Sequence, residues 1–253
     1  MKLPIILNKP IIELKGFFHT LCDLVTPRHC ISCGVASGDS YLCASCMETI
    51  VLRPIEGCCK LCGNIPREGG RGFMYCSSCL KHPPAYDMAR SATIYGGAVR
   101  DMILTLKYKQ GTYLVPELAK LLEGCVRASY SDEQIDAVCP VPLYPTKERE
   151  RGYNQAALIA KEMCKRLKLA YMPELLERVR YTPTQTKLNS EARKENVSGA
   201  FASPDSATDY VYGRNILLID DVFTTGATCS ECAIELKRKH AGRVLVASVA
   251  REQ

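Results

Sequence analysis

From about residue 86 onward the hydrophobic positions fall into two alternating rhythms. Short apolar runs, "MARSATIY", "IDAVCPVP", "NILLID" and "RVLVASVAR", have the length and β-branched content of strands buried on both faces. Between them, "GAVRDMILTLKYK", "LVPELAKLLEGCVRASY", "NQAALIAKEMCKRLK" and "ATCSECAIELKRKH" repeat apolar residues at the spacing of an amphipathic helix. Strands alternating with helices predict an α/β domain over 86–253, with a parallel sheet and helices on its faces. Residues 181–198 follow neither rhythm. A loop of that length inside a compact domain predicts a functional lid, and it carries Gln185, Leu188, Arg193 and Asn196.

Residues 1–85 are patterned by cysteine instead. Cys30 and Cys33, followed by Gly34, are joined nine residues later by Cys43 and Cys46; Cys59 and Cys62, followed by Gly63, are joined thirteen residues later by Cys76 and Cys79. This is an internal repeat. A two-residue gap lets neighbouring sulfurs reach one tetrahedral ion, and the glycine lets the backbone turn beneath them. Two pairs complete a closed shell of four thiolates, which predicts two structural Zn2+ sites with no open position for catalysis. Such a metal replaces a core that a short, loop-rich segment cannot build alone. The expected organisation is therefore an N-terminal helix and double zinc ribbon, followed by the sheet domain. In "GCCKLCG" two adjacent thiols compete, but only Cys59 has the right gap to Cys62. Cys229 and Cys232 share that gap, yet they open a predicted helix with no second pair nearby. With Cys22, Cys125, Cys139 and Cys164 they read as small apolar fillers.

Composition narrows the class. Apolar residues make up 47% and charged residues 24%, which excludes a disordered chain. No run approaches the roughly 20 apolar residues of a membrane span. The opening "MKLPIILNKPIIELKGFFHTLCDL" is broken by Pro4, Pro10, Glu13 and Lys15, unlike a secretory signal, so a cytoplasmic location is expected. In that setting fifteen cysteines favour metal thiolates over disulfides. Eight thiolates on two Zn2+ ions would bring the formal charge of +6 down to about +2. The distribution says more than the total: residues 143–195 hold twelve Lys/Arg against seven Asp/Glu, a local excess suited to a polyanion.

The sharpest candidate chemistry lies in "NILLIDDVFTTGATCSECA", residues 215–233. Ile216 to Ile219 read as a buried strand, with Asp220 and Asp221 emerging at its tip. "FTTGAT" then supplies hydroxyls, backbone N–H groups and a glycine at the start of a helix, where unsatisfied donors and the dipole favour phosphate. Two acids beside a phosphate cradle fit a sugar phosphate, with carboxylates accepting from vicinal hydroxyls.

"LLIDDVFTTGAT" resembles the phosphoribosyl-pyrophosphate signature of type I phosphoribosyltransferases. "LKYKQGTYLVPELAKLL", "VPLYPTKERERGYNQAALIAKEM" and "QTKLNSEARKENVSGAF", preceded by the double ribbon, resemble the ComF family of competence-associated proteins over nearly the whole chain. The resemblance implies a type I phosphoribosyltransferase-like, Rossmann-like sheet. It implies that Asp220 and Asp221 bind the ribose hydroxyls, that Thr224, Thr225, Gly226, Ala227 and Thr228 hold the 5′-phosphate, and that Mg2+ accompanies the ligand. Val141, Pro142 and Leu143 take the place of the pyrophosphate loop. Arg149, Arg151, Asn154 and Gln155 follow it at the entry to a helix, where arginines suit a leaving pyrophosphate and a solvated helix cap is the alternative. Arg193 belongs to the lid. Lys107 and Lys109 fit the family pattern, or else a plain helix surface. The implied reaction is displacement of pyrophosphate at ribose C1, with the acceptor unspecified; the implied process is DNA uptake. The competing reading is a non-catalytic, ligand-sensing protein of DNA uptake or repair whose partners are single-stranded DNA or a competence helicase or other DNA-uptake protein.

Overall fold

The computed structural model describes residues 28–65, 74–182 and 195–252. The chain divides into two compact units, Met1–Thr49 and Ile50–Gln253. In the first, the short antiparallel strands Arg28–His29 and Ala36–Gly38 flank the turn of the first cysteine pair. Gly34 N–H donates to the Cys30 carbonyl at 2.8 Å and Cys30 N–H to the Val35 carbonyl at 2.7 Å. Gly34 has φ 78°, a left-handed conformation open to glycine. Cys43 then caps the helix Ala44–Glu48, so Cys46 lies one turn away on the same face.

The second unit opens with the same device. Gly63 N–H donates to the Cys59 carbonyl at 2.8 Å, Gly63 has φ 70°, and Cys76 caps the helix Ser77–Lys81. The repeat seen in the sequence is thus a repeat of backbone conformation. By its contacts the second cysteine cluster belongs with the sheet that follows, although the rhythm of the sequence changes only at about residue 86.

Four strands, β1 (Met88–Ile94), β2 (Ala137–Pro140), β3 (Ile216–Phe223) and β4 (Val244–Arg251), form an all-parallel sheet in the order β1-β4-β3-β2. Leu218 at its centre lies opposite Val246 on one side and Cys139 on the other. Connecting helices are α1 (Gly97–Tyr108), α2 (Val115–Ser129), α3 (Pro145–Arg151), α4 (Gln155–Leu167) and α5 (Ala227–Arg238). Cys229, Cys232, Ala233 and Leu236 of α5 pack with Ile216, Leu218, Val244 and Val246 in one core layer. Helices α2 and α4 pack together against the strands. Their buried residues, such as Leu118, Leu122, Ile159 and Met163, take no part in the α5 layer, which puts them on the other face of the sheet. Cys139, Cys164, Cys229 and Cys232 are core fillers and Cys125 is half-buried; Cys22 lies outside the described residues. No helix among the described residues is long and apolar enough to cross a membrane.

Both lateral edges of the sheet are occupied. Along β1, Ala89 N–H donates to Leu61 O (2.6 Å), Ile94 N–H to Val51 O (3.0 Å) and Arg53 N–H to Ala92 O (3.0 Å). Along β2, Val138 N–H donates to Ala170 O (2.8 Å) and Met172 N–H to Val138 O (2.9 Å).

The structure departs from the sequence reading at three places. Strand β3 does not stop at the acids: Val222 and Phe223 continue the register opposite Ala250 and Arg251, so Asp220 and Asp221 lie within the strand. Residues 145–151 form a separate helix, α3, opened by Pro145 and ended by Gly152 at φ 86°. The short antiparallel pair Glu177–Arg178 and Phe201–Ala202 frames the expected lid, of which residues 183–194, including Gln185, Leu188 and Arg193, lie outside the described residues.

Candidate functional site

The eight paired cysteines come together as two groups, Cys30/Cys33/Cys43/Cys46 and Cys59/Cys62/Cys76/Cys79, each with its sulfurs within 4.8 Å of one another. The Cys33–Cys43 and Cys62–Cys76 sulfurs are 3.6 and 3.7 Å apart, close to the edge of about 3.8 Å that a tetrahedron with Zn–S near 2.3 Å requires. Four thiols with that spacing fit Zn2+. Cys58 is outside the group, its thiol donating to the Ile55 carbonyl at 3.1 Å. Burial pushes Cys30 and Cys59 up, but backbone N–H donors outweigh it and bring them down to about 6 and about 7, which favours thiolate ligation.

All four parallel strands end at one edge of the sheet, where ligands of such sheets bind. There the two acids separate. Successive strand residues face opposite ways: Asp220 turns toward α5, with the Cys229 sulfur 4.0 Å from its Oδ2, and Asp221 toward α1, with Lys107 Nζ 2.7 Å from its Oδ2. Each also accepts from the next backbone amide, Asp220 from Asp221 N–H and Asp221 from Val222 N–H, both at 2.8 Å. Lys107 makes a close ion pair, yet Asp221 Oδ2 has no aligned hydrogen bond. The environments push the acids apart. Burial and then the Asp221 charge raise Asp220 to about 7; burial also acts on Asp221, but Lys107 overrides it and holds that carboxyl below its usual value.

After β3, Thr224, Thr225 and Gly226 lead into α5. Gly226 has φ 79° and caps the helix with no side-chain bond of its own; the Thr225 hydroxyl accepts a long bond, 3.4 Å, from Ala227 N–H, an interaction a phosphate at this helix N-terminus would replace. A Cβ at 226 would meet Phe223 Cζ at 2.5 Å and the Tyr86 hydroxyl at 2.9 Å, so the loop requires glycine for space as well as for φ. Thr224, Thr225, Gly226 and Ala227 line a cleft of about 710 Å³ that also takes in Cys62 and Arg251. Thr228 stands in the first turn of α5.

A second cavity, of about 470 Å³, lies by the end of β2 and is strongly cationic: Lys107, Lys147, Arg151 and Arg178 line it against one acid, Glu150. Burial, then the charges of Arg178 and Arg151, push Lys147 below its ordinary value. An anion would relieve that crowding. Leu143 and Gln155 also line this cavity, and Gln155 accepts from Arg151. Val141 N–H donates to Ile219 O at 2.8 Å, which carries the 141–143 turn alongside β3.

Other expected residues stand elsewhere. Asn154 is buried as the cap of α4, accepting from Ala156 and Ala157 N–H and donating to the Val141 carbonyl at 2.9 Å, so it fixes the turn. Arg149 is exposed and reaches Thr146. Lys109 is exposed, and the Asn196 carbonyl accepts from Arg180. Sequence reasoning missed Lys147 and Arg178. The first had a signal: Lys147 and Arg151, four apart in a helix, share a face. Arg178 had none, because it reaches the cavity from the distant Glu177–Arg178 strand.

No protein-family model matches the chain. Curated relatives do. It is 30% identical to Competence protein F of Haemophilus influenzae over 227 residues, covering 88% of this chain and 96% of the relative. It is 30% identical to DNA utilization protein YhgH of Salmonella typhi over 228 residues, with the same coverage. Among solved structures, glutamine phosphoribosylpyrophosphate amidotransferase from B. subtilis overlaps 54% of this chain at 17% identity and TM-score 0.36; the chain spans about a quarter (26%) of that protein's length.

Proposed function

The chain belongs to the ComF family of competence-associated proteins, and from that premise we propose that its sheet unit binds phosphoribosyl pyrophosphate with Mg2+ in the service of DNA uptake. The observation that carries the proposal is the placement of Lys107. One ammonium pairs with Asp221 and also lines the four-cation cavity, so a carboxylate suited to sugar hydroxyls adjoins a pocket suited to a pyrophosphate. Thr224 to Thr228 would cradle the 5′-phosphate on the amides of α5. Lys147, Arg151 and Arg178 would take the pyrophosphate, where planar guanidinium forks suit its oxygens.

Asp220 and Asp221 lie on opposite faces of β3, and Asp221 Oδ2 already faces Lys107 Nζ at 2.7 Å, so the two carboxylates do not converge on one ion. Mg2+ would instead sit on the pyrophosphate and the ribose hydroxyls that these acids bind, leaving much of its shell to water, and when bound it would neutralise charge on the leaving group. The protein's own contribution is to position the ribose and to stabilise the departing charge with fixed cations. The two cysteine groups would hold Zn2+ as structural ions, since four protein ligands leave no coordination site for water.

A second reading, a ligand sensor that engages single-stranded DNA or a DNA-uptake helicase without transfer, is favoured by exposed aromatics beside the cations. Tyr108, 68% exposed, carries Arg151 over its ring, and Tyr181, 53% exposed, carries Lys147. Such rings can stack bases. Calorimetry with Mg2+ and phosphoribosyl pyrophosphate tests the shared premise: binding is expected, and Asp221→Asn should weaken it about tenfold or more, about 1.4 kcal/mol. Unchanged affinity in that variant would remove both readings. Pyrophosphate release in the presence of a panel of bases and amines then supports the transferase, and binding without release supports the sensor.

A further inference from the structure

We propose that Arg251 is a positioning residue that couples the second cysteine cluster to the phosphate loop, so that the loop holds its binding geometry only while that cluster holds its metal. Arg251 ends β4 and is 9% exposed. Its Nη1 donates to the Cys62 carbonyl at 2.6 Å, and its Nη2 lies 3.9 Å from the Cys62 sulfur. Its guanidinium also covers the Phe223 ring, 4.7 Å from the centroid. Phe223 in turn is the residue against which Gly226 is packed, and Tyr86 braces that ring edge-on at 6.0 Å. One side chain therefore touches a metal-ligand residue at one end and the floor of the anion loop at the other. Cys62, Arg251, Thr225 and Gly226 line the same cleft.

The physical coupling is one of position. Arg251 is anchored on the Cys62 carbonyl, and that carbonyl belongs to the Cys59–Gly63 turn, whose two thiols a bound metal would hold in one geometry. Loss of the metal frees the turn, the carbonyl shifts, and the guanidinium loses the anchor that keeps it over Phe223. Phe223 then loses its cover and Gly226 its support. The second cluster is built into this unit with all four cysteines buried, whereas Cys33 of the first cluster is exposed.

The inference rests on the phosphoribosyl-pyrophosphate reading of the loop, and reciprocity between two coupled sites supplies its test. Zinc release from the full-length, zinc-loaded protein to a chromogenic chelator is followed with and without Mg2+ and phosphoribosyl pyrophosphate. In the wild type the ligand should slow one of the two zinc phases about tenfold and leave the other unchanged. Arg251→Gln should still load two zinc ions but bind the ligand about tenfold more weakly, with no ligand effect on either phase. Arg251→Lys, which keeps the charge, should retain part of the effect and decides the matter if the glutamine variant does not fold. Ligand binding to the wild type with both zinc phases indifferent to it overturns the coupling and leaves the ligand reading standing. Failure of the wild type to bind the ligand at all removes both.

Discussion

Replacing Lys107 with methionine removes the cation opposite Asp221 while keeping much of the apolar stem. The two side chains are 19% and 5% exposed, with Nζ and Oδ2 at 2.7 Å. Removing one partner of a buried pair costs roughly 3–5 kcal/mol because the other charge loses its compensation; the partial exposure of Lys107 brings the expected cost to about 2–4 kcal/mol. The pH dependence follows from the sign of the shift. In the wild type, burial raises Asp221 but Lys107 outweighs it and the net shift is downward, so this acid contributes stability that is present above its unfolded value and lost as pH falls through its lower folded value. Without Lys107, burial acts unopposed and the shift turns upward. The variant's acid is then protonated at moderately low pH, and the stability gap to the wild type should be widest near pH 8 and narrow toward pH 5.5. Urea unfolding followed by circular dichroism in zinc-containing buffer measures both quantities. The double variant Lys107→Met with Asp221→Asn should recover most of the loss, because no buried charge is left alone. A single-variant cost below about 0.5 kcal/mol, the range of an exposed pair, or a double variant no better than the single, would refute the account of this pair.

Two further outcomes are expected. Gly226→Ala combines a φ of 79° with a Cβ placed 2.5 Å from Phe223 Cζ; it should cost about 1–3 kcal/mol in thermal unfolding and abolish ligand binding in calorimetry, and a neutral substitution would mean the loop is not packed under that ring. Asp220 is raised to about 7 by burial and by Asp221, so its contribution to stability is fully present below its unfolded value, about 4, and lost as pH rises through about 7. Ligand binding that requires this carboxylate should strengthen over the same rise, and Asp220→Asn should flatten the affinity measured between pH 6 and 8; a slope identical to wild type would exclude the role.

What could be read from the chain and what could not divide along a physical line. The strands and helices were legible because their periodicity is local, and the cysteine repeat because metal geometry fixes a spacing within a few residues. The tip of β3 was not, because Val222 and Phe223 remain in the strand only through pairing with Ala250 and Arg251, partners supplied by tertiary structure. Lys107 and Asp221 are far apart in sequence and meet only once α1 and β3 are packed. Arg149 and Arg151 look equivalent in "KERER", yet only Arg151 lines the cavity: two residues apart on a helix, they face different directions. Asn154 resembled a ligand residue and is a clasp, since a capping amide and a binding amide have the same sequence signature.

The segments lying along β1 and β2 also constrain how the protein can meet others. A peptide that recruits its host by extending a sheet needs a free row of amides and carbonyls, and here Leu61, Val51 and Ala92 on one flank and Ala170 and Met172 on the other already share in those bonds. Strand invasion, whether by a cargo protein or by a second copy polymerising into a fibre, would first have to peel away native chain. Recruitment is thereby directed to side-chain chemistry, where charge and shape discriminate among visitors.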